Sequence, residues 1–201
     1  MAQLVIATHN RDKVKEFEAL LNGFAVELLT LDTFPTIKPV EENADTLQGN
    51  ALKKAHEVFK QTGLPTVADD TGLEVYYLND EPGVYSSRYA GPGATYADNC
   101  TKLLDRMKGV PPRRRGARFC CALAFVMQEG SETLVSGECQ GVITEFPRGV
   151  NGFGYDPVFL PIGYGQTFGE MEADLKNSVS HRGRAMAALK PILQDHFKSH
   201  R

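Results

Sequence analysis

The chain has 201 residues, of which 42% are hydrophobic and 23% charged, with a formal net charge of -3. This balance fits one globular domain over residues 1–201 that buries a core without staples, and it excludes a disordered chain. No apolar run approaches the ~20 residues of a membrane span, and a net negative charge lacks the basic footprint of a protein that grips a nucleic-acid polymer. Met1-Ala2-Gln3 has no basic stretch of the kind that opens a signal peptide. Cys100, Cys120, Cys121 and Cys139 form no CxxC pair and no metal-ligand spacing, so reduced thiols in a cytoplasmic protein are the expectation.

In chain order, Leu4-Val5-Ile6-Ala7 reads as a short apolar strand. Val14, Phe17, Leu20 and Leu21 then recur at helical spacing until Gly23. Val26 to Leu31 reads as a second strand, followed by a polar loop through Glu41-Glu42-Asn43. Asp45 or Thr46 caps a helix that carries Leu47, Ala51, Ala55, Val58 and Phe59 on one face and stops at Gly63. The run Leu64 to Ala68 reads as a buried strand ending in Asp69-Asp70, with Thr71-Gly72 as a turn. Gly72 to Gly93 mixes a strand with an irregular loop. Thr95 and Asp98 form a capping box for a helix carrying Leu103, Leu104 and Met107. Arg113-Arg114-Arg115 reads as a solvated loop. Ala117 to Met127 and Thr133 to Thr144 are two strands joined at Glu129-Gly130. The last helix runs from near Ser178 past Leu193, with Pro191 expected to kink or shorten it. Strands and helices thus alternate, and the fold class is mixed α/β.

Four places carry chemistry. Side chains alternate along a strand, so of Asp69 and Asp70 one faces a cleft as a working carboxylate while the other faces supporting structure or solvent; two acids hydrating a turn is the plain alternative. The loop Thr8-His9-Asn10-Arg11-Asp12-Lys13 joins a strand to a helix. With Asn10 as N-cap, Lys13 falls in the first turn, where the helix dipole disfavours a cation and an anionic ligand reverses the penalty. In Gly152-Phe153-Gly154-Tyr155-Asp156-Pro157 two glycines permit close backbone approach, and two rings either offer a stacking face for a base or pack into the core. Lys176-Asn177-Ser178-Val179-Ser180-His181-Arg182 reads as another helix start rich in cations. With Lys54, these segments supply several positive charges for a polyanionic ligand.

The phrases Ala7-Thr8-x-Asn10-x-x-Lys13, Asn50-Ala51-x-x-Lys54-Ala55, Ala68-Asp69-Asp70-Thr71-Gly72-Leu73, Gly152 to Pro157 and Lys176-Asn177-x-x-Ser180-His181-Arg182 resemble, in order, those of the inosine/xanthosine triphosphate pyrophosphatases. His9 stands where many relatives carry Gly. The resemblance implies an elongated α/β fold with a central mixed sheet flanked by helices and a nucleotide cleft between two lobes. It implies a Mg²⁺-dependent homodimer that converts ITP, dITP and XTP to the monophosphate and pyrophosphate, keeping deaminated purines out of DNA and RNA. Carried over by motif, Thr8, His9, Asn10, Arg11, Asp12 and Lys13 hold the phosphates with Lys54 and Lys176. Asp70 is the general base and a metal ligand, with Glu41 or Glu42 as the second acid. Thr71 contacts the nucleotide, while Phe153, Gly154, Tyr155 and Asp156 surround the base and His181 and Arg182 read it. A Maf-like pyrophosphatase for modified or pyrimidine nucleotides, and a nucleotide-binding regulator without catalysis, are the competing readings.

Overall fold

The computed structural model describes residues 2–128 and 131–199. In chain order it contains β1 (Ala2–Ile6), α1 (Arg11–Leu20), β2 (Val26–Thr30), α2 (Leu47–Thr62), β3 (Thr66–Val75), β4 (Pro82–Gly83) and α3 (Tyr96–Arg106). There follow β5 (Gly116–Gln128), β6 (Ser131–Ile143), β7 (Phe159–Pro161), α4 (Ala173–Val179) and α5 (His181–Ser199). The strands hydrogen-bond in the order β2-β1-β3-β5-β6-β7, with β4 added to β3. β1 runs parallel to β2 and β3, whereas β3–β4 and β6–β7 are antiparallel. The sheet is therefore mixed, as the resemblance implies. The turn expected at Glu129-Gly130 lies outside the described residues.

The chain divides into two compact units whose boundaries fall after Asp70, Cys120, Gly137 and His181. The first holds β1, α1, β2, α2 and α5. Its core is Leu4, Ile6, Phe17, Val67, Leu123, Phe125, Met186, Leu189 and Leu193, all buried. Leu4, Val5 and Ile6 are buried in succession, the pattern of a parallel strand covered on both faces. α5 continues through Pro191 to Ser199 rather than stopping there. Pro191 and Ala187, whose carbonyl loses its intrahelical donor to the proline, both lie on the exposed side, while Leu189, Leu193 and Phe197 pack on the other.

The second unit holds the rest, with Leu73, Val75, Leu103, Met107, Phe119, Ile143, Phe159 and Phe168 in its core. The capping box forms as expected, with Asp98 N bonded to Thr95 Oγ1 and Thr95 N bonded to Asp98 Oδ2. Two expectations need correction here. β3 does not end at a Thr71-Gly72 turn; it runs on to Val75, because Leu73 and Val75 supply a second buried stretch that pairs with β4. The last helix is found as α5 but opens at His181 rather than near Ser178, because α4 runs on to Val179 and Ser180 is extended between them.

Arg115 overturns the reading of the arginine triplet as solvated. Its guanidinium is buried and donates to Met107 O at 2.9 Å, Ile143 O at 2.6 Å and Thr144 O at 2.7 Å, tying the end of α3 to the end of β6. Replacing it with Met leaves those carbonyls without their charged donor. Arg115→Met should lower unfolding stability by about 3 kcal/mol in urea titration, within the range for stranded buried acceptors. The exposed Arg113→Ala control should stay within about 0.5 kcal/mol. An Arg115→Met loss no larger than the control's would show that the clamp is not structural.

Candidate active site

In the first unit, β1 delivers the chain to α1 through Thr8. Thr8 Oγ1 accepts from Asn10 N at 3.2 Å, and Asn10 Oδ1 accepts from Asp12 N at 2.9 Å and Lys13 N at 3.3 Å. Asn10 is the N-cap, as read from the sequence. Its side chain takes two of the amides at this helix start. His9 and Arg11 are exposed, and Asp12 lies 3.7 Å from Lys15.

Asp69 and Asp70 follow one another on β3, and the pleat sends them to different partners. Asp69 is fully buried. Its Oδ2 lies 3.0 Å from Lys13 Nζ and 2.8 Å from Arg182 Nη2, and Arg182 Nη1 also binds Glu16. Burial by itself would raise the Asp69 carboxyl, but Lys13 and Arg182 outweigh it and hold the group well below the usual carboxylate range. Asp69 therefore faces supporting structure, one of the two placements expected for it. Lys13 escapes the dipole penalty through the same pair.

Asp70 Oδ2 accepts from Asn50 Nδ2 at 3.0 Å, and Oδ1 lies 3.5 Å from Lys54 Nζ. Lys54 also binds Glu42 Oε1 at 2.5 Å. Burial raises the Asp70 pKa; the Glu42 charge adds to the rise, while Lys54 opposes it. Burial alone would lower the Lys54 pKa, yet Asp70, Asp69 and Glu42 together push it up and keep the ammonium charged. Lys54 lies within α2, one turn after Asn50 on the same buried face. Asn50 Oδ1 accepts from Ala44 N at 2.9 Å, so this amide joins the Glu42 loop to Asp70. Between the two candidate acids, Glu42 reaches this cluster and Glu41 is exposed.

Two carboxylates, Asp70 and Glu42, are hard oxygen donors gathered about one ammonium. Among the described residues there is no group of three or more metal-ligating side chains. The pair still fits Mg²⁺, which binds through one or two carboxylates and completes its shell with waters and phosphate oxygens.

The second unit gathers the aromatic segment. Asp156 Oδ2 accepts from Phe153 N at 2.8 Å and pairs with Lys176, whose Nζ also lies 4.7 Å from the centre of the Phe153 ring. Gly152 is obligatory: with φ at +68°, its absent Cβ would fall 2.0 Å from Asp156 Oδ2. Lys176 stands in the last turn of α4, where the dipole favours a cation, so the reading of a cation placed against the dipole is corrected there. Tyr155 takes the core-packed of its two expected placements. It is buried, and its hydroxyl donates to Ser86 O at 2.9 Å. His181 is buried and stacks on Phe119 with centroids 4.6 Å apart. Thr71 is half-buried on β3.

Asn50, Glu16 and Ser86 touch this machinery and were not among the candidate residues. The signal for Asn50 was present in its spacing: a polar residue four positions before Lys54 amid Leu47, Ala51, Ala55 and Val58 interrupts an otherwise apolar face. Glu16 and Ser86 carried no such signal.

The burial of Asp69 has a measurable consequence. Asp69→Asn leaves Arg182 and Lys13 short of their shared carboxylate and should cost about 3–5 kcal/mol at neutral pH. Because the folded carboxyl titrates below its unfolded value of about 3.9, the stabilisation is complete above that pH and drains away as acid protonates the unfolded chain first. The gap between wild type and Asp69→Asn should therefore narrow when denaturation is repeated at pH 3. A gap under about 1 kcal/mol at pH 7 would contradict the buried-pair account.

Comparison with known proteins gives the family. The chain matches the Ham1 family over residues 4–192. It is 47% identical over 193 residues to a dITP/XTP pyrophosphatase of Geobacter sulfurreducens, covering 96% of this chain and 97% of that protein. It is 43% identical to a dITP/XTP pyrophosphatase of Bacillus cereus, covering 98% and 97%. A solved HAM1 protein from Coxiella burnetii superposes with a TM-score of 0.88 at 38% identity, covering 97% of this chain and 100% of that one. With the match extending from β1 into α5, the chain belongs to the Ham1 family.

Proposed function

We propose that this protein hydrolyses non-canonical purine nucleoside triphosphates, namely dITP, ITP and XTP, to the monophosphate and pyrophosphate. The observation that carries this reading is Asp70: a carboxylate raised by burial, aimed by Asn50 and set beside Lys54 and Glu42. A carboxylate so buried and aimed is placed to take a proton from water. In the reaction, Asp70 accepts that proton as the water oxygen bonds to the α-phosphorus. The bond from that phosphorus to the bridging oxygen breaks, and its electron pair leaves on pyrophosphate. Phosphoryl transfer depends mainly on positioning and charge, which Lys13 and Lys54 provide for the phosphate chain. A bound Mg²⁺, held by Asp70 and Glu42, would neutralise phosphate charge and make the attacking water more acidic.

Thr71, Phe153 and Asp156 are assigned to the nucleoside, and Lys176, expected at the phosphates, is assigned there with them because it pairs with Asp156. Phe153 supplies the ring, and Asp156 holds the Phe153 backbone against it. The resemblance puts His181 and Arg182 at the base as well. For Arg182, the buried span between Glu16 and Asp69 supports a first role in holding the carboxylate that engages Lys13. Selection follows from hydrogen bonding: hypoxanthine and xanthine carry an acceptor oxygen where adenine carries a donor, and sites built on such contacts reach up to ~10⁴-fold discrimination. We assign the working protein to a homodimer in the cytoplasm. Exposed Tyr76, Tyr77, Ile162 and Tyr164 on the second unit supply apolar surface for self-association, and among the described residues no helix is long and apolar enough to cross a membrane.

A panel of triphosphates with pyrophosphate detection and varied Mg²⁺ tests this reading. kcat/KM for dITP and XTP should exceed that for dATP by at least ~10²-fold. Asp70→Asn should fold normally and lose at least ~10²-fold in kcat at saturating Mg²⁺. Equal turnover of dATP and dITP would refute the house-cleaning activity, and near-normal kcat in Asp70→Asn would remove Asp70 from the mechanism.

A further inference from the structure

Ser86 is a small buried residue in the loop after β4, outside every motif that marks the active site. It is bonded at both its ends. Its hydroxyl accepts from Leu73 N at 2.9 Å and donates to Gly83 O at 2.6 Å, while its carbonyl accepts from Tyr155 OH at 2.9 Å. Leu73 and Thr71 share a face of β3, since side chains repeat every second residue. Tyr155 stands between Gly154 and Asp156. One serine therefore connects the strand segment that carries Thr71 to the turn that carries Phe153 and Asp156.

Neighbouring bonds reinforce the same connection. Asn99, buried in α3, accepts from Ala90 N at 2.8 Å and donates to Ser87 O at 3.2 Å, which fixes the loop on both sides of Arg88. Cys100 Sγ donates to Gly154 O at 3.3 Å. Leu73 lies opposite Gly83 in the β3–β4 pair, and the Ser86 hydroxyl bridges the two, taking the Leu73 amide and donating to the Gly83 carbonyl. The buried Tyr155 ring serves as the anchor of the aromatic turn, in which Phe153 stays half-buried.

We propose that Ser86 is a positioning residue for nucleobase recognition, holding the Thr71 segment of β3 in register with the Phe153–Asp156 turn through Leu73 and Tyr155. It touches no reacting atom. The proposal rests on the assignment of Thr71, Phe153 and Asp156 to the nucleoside. It separates two functions chemically: loosening the Ser86 connection should weaken the hold on the base and leave the phosphate chain, gripped by Lys13 and Lys54, unaffected.

The test compares wild type with Ser86→Ala, Ser86→Thr, Tyr155→Phe and the Ser86→Ala/Tyr155→Phe pair, measuring kcat and KM for XTP and competitive inhibition by inorganic tripolyphosphate. Ser86→Ala and Tyr155→Phe should each raise KM for XTP by about tenfold, the effect of one lost buried hydrogen bond. kcat should stay within about threefold and the tripolyphosphate inhibition constant within about twofold, because those readouts do not depend on the base. Ser86→Thr, which keeps the hydroxyl, should recover most of the KM, and the double variant should fall short of the product of the single effects. Tyr155→Phe, which removes one oxygen, carries the test if Ser86→Ala does not fold. Variants that melt lower yet keep the wild-type KM, or that weaken XTP and tripolyphosphate equally, would overturn the positioning role. A wild-type protein inactive on XTP and dITP alike would instead remove the parent assignment, and this proposal with it.

Discussion

Two carboxylates adjacent on one strand must point to opposite faces, and the first unit is organised around that constraint. Asp69 turns into a place with no solvent, where it persists as an anion only because Lys13 and Arg182 reach it. Asp70 turns to a less enclosed place, where Lys54 and Asn50 meet it and burial raises its pKa. The same residue type one position apart is thus a carboxyl held well below its usual range in one case and a carboxyl raised by burial in the other, by environment alone. α1, α2 and α5 each contribute one cation to this pair: Lys13, Lys54 and Arg182.

Such a cluster is an uneconomical way to stabilise a fold. Removing charges from water costs several kcal/mol each, and a buried ion pair often does no better than an apolar replacement of equal volume. Its value lies in fixing positions. Arg182 ties Asp69 to Glu16 on α1, one helical turn from Lys13, so the carboxylate that holds Lys13 is itself held from the same helix. Asn50 does the equivalent for Asp70, joining it to the backbone of the Glu42 loop. Pre-positioned charge of this kind is what phosphoryl transfer requires, because little reorganisation is then left for the reaction itself.

The parts of this architecture that were legible in the sequence are those determined locally. Asn10 as a cap, Thr46 before α2, the left-handed Gly63 and the Thr95–Asp98 box each follow from the preferences of a few consecutive residues, and each is found. The parts that were not legible depend on what lies across the fold. Thr71-Gly72 reads as a turn until β4 is present to pair with the continuing strand. Arg115 reads as one more exposed arginine until three carbonyls from distant segments converge on it. Tyr155 offers a ring in sequence and hides it in the structure. Its partner is a backbone oxygen 69 positions away, and no local pattern encodes that. Glu41 and Glu42 are equivalent in the sequence, and only the position of Lys54 on α2 separates them.

The central claim is that water, activated at Asp70, attacks the α-phosphorus of the triphosphate. Hydrolysis of XTP in ¹⁸O-enriched water, followed by mass spectrometry of both products, tests that claim directly. The account predicts one ¹⁸O atom in the nucleoside monophosphate and none in the pyrophosphate. Label in the pyrophosphate, or release of orthophosphate with a nucleoside diphosphate, would place the attack at another phosphorus and contradict it.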